Sequence, residues 1–183
     1  MKYITEVQVR QITKELLMKE YCHPKQFLDS CNLCPYYGKR WSCPPGIPDT
    51  LCYLEPYSHA FLVAVKVFYP DEVRKMTISE QEAEKIREES YEVVKKKLLL
   101  ALLNLEQEVP GGKCLGAGKC ILCDRCTREE GSPCRYPEKR RYSITGFGFD
   151  FSKILQELFE IPLLWSSDGL PEYDVAVAAL FYE

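Results

Sequence analysis

Histidine is nearly absent from this chain, with two in 183 residues, so any metal it binds must be ligated mainly by sulfur. Long apolar runs are missing too. The longest, such as LLLALL at 98–103, falls far short of the roughly 20 residues that a membrane-spanning helix needs. The first twenty residues interleave charge with apolar side chains and hold no signal-peptide core. Together these absences predict a cytoplasmic protein with no membrane contact. The net charge of −3 gives no general attraction to nucleic acid, so nucleic acid is not an expected partner. No Walker loop, dinucleotide fingerprint, Gly-x-Ser-x-Gly elbow or His-Glu-x-x-His helix occurs. Nucleotide-dependent and hydrolytic chemistry of the usual kinds therefore has no support.

Cysteine, by contrast, is plentiful. Cys22, Cys31, Cys34, Cys43 and Cys52 form one group, and Cys114, Cys120, Cys123, Cys126 and Cys134 a second, with 61 cysteine-free residues between them. A reducing compartment argues against disulfides, and a chain of this length can bury enough core to do without them. Clustered short spacings in such a setting point to metal.

The second group reads Cys120-x-x-Cys123-x-x-Cys126, then seven residues, then Cys134. Three cysteines at two-residue spacing let one tight loop wrap a cubane, and Cys134 supplies the fourth sulfur. The run resembles the bacterial ferredoxin pattern at its first three positions and departs from it at the fourth, where the ferredoxin gap is three residues. One local [4Fe–4S] cluster closed by Cys134 is the reading favoured. A zinc site with four cysteine ligands is the alternative, and the third cysteine, only two residues after the second, fits poorly with two paired zinc knuckles. Lys119, Arg125, Arg128, Arg135, Lys139, Arg140 and Arg141 make the surroundings basic, which suits an anionic cluster. In the first group Cys31, Cys34 and Cys43 offer three thiolates to a second centre. Its fourth ligand is left open among Cys22, Cys52, Cys114 and a non-cysteine group, with His23 beside Cys22 as one candidate. Tyr36, Tyr37 and Trp41 would shield it from water.

Residues from about 5 to 20 are predicted as a helix with Val7, Ile12, Leu16 and Leu17 on its apolar side. Residues 22–58, with six prolines and five cysteines, form a loop-rich lobe that a bound ion must organise. HAFLVAVKVFY at 59–69 is a buried strand. Ser79 and Glu82 make a capping box for a long helix ending at Pro110, long enough that a break is expected. Phe151–Phe159 is a short helix, Ile161–Trp165 and Asp174–Tyr182 are strands, and Asp168-Gly169 and Asp174 look like turn chemistry. This order predicts an α/β or α+β fold: one domain over 1–183, with a small central sheet, packed helices, the cysteine-rich lobe at 22–58 and a metal-binding loop at 114–141.

In CNLCPYYGKRWSCPP (31–45), GAGKCILCDRCTREEGSPCRYP (116–137) and KRRYSITGFGFD (139–150) the chain resembles a family of cysteine-rich prokaryotic proteins described as predicted metal-binding proteins. The resemblance brackets most of the chain. It departs from the family's Ser-Met-Glu-Ala-x-Gly-Ile-Asp form within Tyr142–Asp150: Thr145 stands where Glu is usual and Gly146 where Ala is. The resemblance implies metal binding and names no reaction. Three functions follow from the residues: an iron–sulfur redox protein serving a partner protein, a zinc-stabilised binding module, or a metalloenzyme working at an open site on Cys31, Cys34 and Cys43.

Overall fold

A computed structural model describes residues 3–165 and 169–183. Asp168, read as part of a turn, lies outside the described residues. The fold is α+β, built on a four-stranded antiparallel sheet in the order β1 (Ile4–Thr13), β2 (His59–Phe68), β4 (Tyr173–Tyr182), β3 (Lys113–Leu115). The two central strands read as near-continuous apolar runs because both faces of the sheet are covered. Ala60, Leu62 and Ala64 of β2 share one face with Val175, Val177, Ala179 and Phe181 of β4, under helices α1 (Lys14–Tyr21) and α7 (Phe151–Leu158). Val63, Val65 and Val67 turn to the other face with Ala178 and Leu180, under α5 (Glu80–Glu89) and α6 (Tyr91–Glu108). The two-residue period of the strands sorts the side chains between these two cores.

The helix predicted over 5–20 is in part a strand. Ile4–Thr13 pairs rung by rung with β2, and only Lys14–Tyr21 is helical, with the Thr13 hydroxyl accepting from the Leu16 N–H at 3.3 Å. Six of the ten strand residues are β-branched, and cross-strand pairing favours them over a helix whose turns they would crowd. The long helix carries its capping box at Ser79 and Glu82 and breaks at Ser90 into α5 and α6. The buried Ser90 hydroxyl donates to Ile86 O at 2.5 Å there. The strand predicted at 161–165 does not form. Ile161 instead packs into the core as irregular chain, its N–H donating to Leu155 O at 3.0 Å just past α7. The lobe at 22–58 is less irregular than expected, since it holds α2 (Pro24–Asn32) and α3 (Thr50–Leu54). A short helix, α4, spans Asp71–Met76. No helix among the described residues is long and apolar enough to cross a membrane.

Candidate metal centre

The two cysteine groups, far apart in sequence, are folded against one another. In the first, α2 ends at Leu33, and a succession of tight turns follows: Cys34 N–H donates to Cys31 O, Tyr37 N–H to Cys34 O and Cys43 N–H to Arg40 O, all within 3.0–3.1 Å. Gly38, at φ +70, lets the chain double back so that its N–H donates to Pro44 O at 2.9 Å. Cys31, Cys34 and Cys43 thereby line one cavity of about 130 Å³ with Tyr36, Lys119, Ser143 and Thr145. Thr145 and Gly146 both face it. Burial pushes the Cys31 and Cys43 thiols up, and their neighbouring thiols add to this. At Cys43 the Ser42 hydroxyl, 3.4 Å from Sγ, and Arg128 pull the other way.

The second group begins where Gly116 is pinned to the 142–144 segment, donating to Tyr142 O and accepting from Ile144 N–H. After Cys126 the chain makes a 3-10 turn over Thr127–Glu130 and closes on Gly131 at φ +68. Ser132 N–H and the Thr127 hydroxyl then tie the returning strand, bonding Thr127 O and Pro133 O. That loop carries Cys134 back to the first three. Cys120, Cys123, Cys126 and Cys134 all line a single cavity, and the charged side chains in its wall are Arg40, Arg135 and Arg140. Burial pushes the Cys120 thiol up, with Cys134, Cys123 and Cys126 contributing as nearby charges.

As a donor set this is pure sulfur under a cationic rim, with no histidine or carboxylate in the wall. Its chemistry fits a soft, anionic inorganic centre. The cavity itself is small, about 20 Å³. Among the described residues no three His, Cys, Asp or Glu side chains converge as a single bound ion would require.

Side chains from both segments join the two groups. Ser42 is fully buried, its Oγ accepts from Cys120 N–H at 2.9 Å, and the same oxygen lies 3.4 Å from Cys43 Sγ. Arg128, from the second loop, reaches back to donate to Arg40 O and Cys43 O at 2.9 Å and to Pro45 O, while its guanidinium lies over Trp41. Trp41 in turn donates to Ser132 O at 3.2 Å. Beyond the cavity, Arg141 is paired with Glu106 of α6 in a contact in which both side chains are buried. The same carboxylate accepts the Cys114 N–H. Burial alone would raise Glu106, but Arg141 and that N–H hold it below its ordinary range.

The basic residues are visible as a group in the sequence, but the roles of Ser42, Arg128 and the Glu106–Arg141 pair are not. Nothing in their local spacing marks them, because their partners lie between 35 and 88 residues away. The remaining cysteines lie apart from both cavities. Cys22 sits in the core with its thiol on Phe147 O at 3.6 Å, and burial pushes it up to about 12. With His23 it lines a separate groove of about 1240 Å³. Cys114 is buried in β3 with its thiol on Leu102 O at 3.3 Å, and Cys52 is exposed beside Asp49 on α3. All ten cysteines are free thiols.

No curated protein and no solved structure matches the chain. A family model does match, over residues 14–177, and with it both cysteine cavities and the segment that stitches them together. The chain belongs to the DUF2284 family of predicted metal-binding proteins.

Proposed function

We propose that Cys120, Cys123, Cys126 and Cys134 hold a [4Fe–4S] cluster and that the protein passes single electrons to a partner protein in a reducing cytoplasm. The observation that carries this reading is the all-cysteine wall of one cavity, drawn from a Cys-x-x-Cys-x-x-Cys loop plus Cys134 and rimmed by arginines. When bound, the cluster supplies a one-electron couple, and cations beside its sulfurs raise its potential. The protein's own contribution is to hold the loop. Ser42 accepts the Cys120 N–H, Arg128 fixes the opposing turn, and Trp41 closes over the returning strand. Cys120 and Cys123 also border a shallow hollow beside Glu88, Glu92 and Lys96. A partner seated there would meet two of the four cysteines.

A second centre at Cys31, Cys34 and Cys43 is favoured by their shared cavity, which Lys119, Tyr36, Ser143 and Thr145 also line. Such a site would leave one coordination position for a substrate. Protein purified without oxygen should be brown, absorb broadly near 400 nm and give an EPR signal on reduction. Colourless protein carrying stoichiometric zinc would overturn the cluster and leave a zinc-stabilised binding module in its place.

A further inference from the structure

Strand β1 is an edge of the sheet and, among the described residues, nothing pairs with its outer side. Natural proteins blunt such edges with lysine, proline, bulges or short strands. β1 has none of these. It runs ten residues, contains no Lys or Pro, and keeps an unbroken register with β2 from Ile4↔Phe68 to Thr13↔His59. Ile4, Val7 and Val9 are 74%, 59% and 50% exposed on it.

The sequence of this edge complements itself. In an antiparallel pair every second residue turns its N–H and C=O to the same side. A strand paired with its own copy about a two-fold axis can therefore place only residues of like parity opposite one another. Centred on Val7, Glu6 would face Gln8 and Arg10 would face Ile4. Centred on Val9, Glu6 would face Ile12 and Arg10 would face Gln8. Centred on Gln8, Glu6 faces Arg10 twice, Val7 faces Val9 twice and Ile4 faces Ile12 twice. Of these registers only the last pairs charge with opposite charge and apolar with apolar at every rung that bears them. Val7 and Val9 share the sheet face of Val65 and Val63, so the valine stripe would continue across the axis.

Both charges have contacts within the chain and keep capacity for a further partner. Glu6 accepts from Gln8 at 2.9 Å and forms an ion pair with Lys66 at 3.4 Å. Arg10 lies over the Phe159 ring and uses three of the five N–H donors of a guanidinium, on Leu158 O, Val9 O and the Gln8 side chain.

We propose that β1 is the docking surface for a second copy of this chain, joined edge to edge about Gln8 into one continuous eight-stranded antiparallel sheet. The interface is independent of any metal. Sedimentation velocity tests it. The protein should run at twice the 21.2 kDa chain mass. Arg10→Glu and Glu6→Arg, each placing like charges opposite one another, should raise the dimer dissociation constant about tenfold or more. Both single variants should keep the wild-type far-UV circular dichroism. The double variant Glu6→Arg/Arg10→Glu restores both ion pairs and should restore the dimer. A wild-type monomer at concentrations up to about 100 µM, a single variant that dimerises as tightly as wild type, or a double variant that stays monomeric would each overturn the proposal.

Discussion

Replacing Ser42 by alanine should loosen both cysteine groups at once. The hydroxyl is fully buried and accepts from Cys120 N–H at 2.9 Å while lying 3.4 Å from Cys43 Sγ. Alanine removes that oxygen and leaves the Ser42 carbonyl, which accepts from Ser143 N–H at 2.9 Å, in place. The loss is therefore confined to one buried donor without an acceptor, worth about 1–3 kcal/mol. In a protein of this size each kcal/mol moves the melting temperature by roughly 2–4 °C, so a fall of about 4–8 °C is expected for a loss near 2 kcal/mol. Thermal unfolding of anaerobically purified protein, followed by circular dichroism, measures it. Ser42→Thr keeps a hydroxyl and should recover most of the difference. A melting temperature for Ser42→Ala within about 1 °C of wild type would refute the assignment of Ser42 as the joint between the two groups.

Three further outcomes follow from the geometry. Glu106→Ala strands the buried Arg141 guanidinium and the Cys114 N–H together, and urea titration should register a loss of about 3–5 kcal/mol. Arg128→Lys exchanges a fork that serves three carbonyls for a single ammonium. It should destabilise by about 1–3 kcal/mol and enhance proteolysis within 39–46 and 127–135. Cys22 keeps its proton to about 12 in the folded chain against an ordinary 9.0, so its contribution is complete below pH 9 and is lost as pH rises from 9 to 12. Across that window it amounts to about 4 kcal/mol. Cys22→Val should flatten this alkaline limb in denaturation curves taken from pH 8 to 11 and leave metal content unchanged, since Cys22 faces neither cysteine cavity.

Elements whose identity is written in local pattern were legible in the sequence. The two central strands announced themselves as apolar runs, and Ser79 with Glu82 announced α5, because burial on both faces and a capping box are properties of a few adjacent residues. The edge strand was not legible. Ile12 and Leu16 fall four residues apart, at helical spacing, yet Ile12 belongs to β1 and Leu16 to α1. What makes Ile4–Thr13 a strand is its pairing with β2, a distant segment of the chain. Ile161–Trp165 failed as well: its composition suits a strand, but Ile161 is drawn into the core with its N–H on Leu155 O, and no ladder forms. At the site, the Cys-x-x-Cys-x-x-Cys spacing marked three cysteines and Cys134 followed as the nearest fourth; all four line one cavity. It could not give Ser42, a single serine whose significance comes only from standing between Cys43 and Cys120 in space.

If Cys120, Cys123, Cys126 and Cys134 surround one iron–sulfur centre, iron and acid-labile sulfide must fall together when that ligand set is broken. Both are measured per chain on anaerobically prepared wild type and on Cys120→Ser/Cys123→Ser. The double variant should hold about four fewer iron and about four fewer sulfide per chain than wild type. Equal iron and sulfide in the two proteins, or zinc in place of both elements in the wild type, would contradict it.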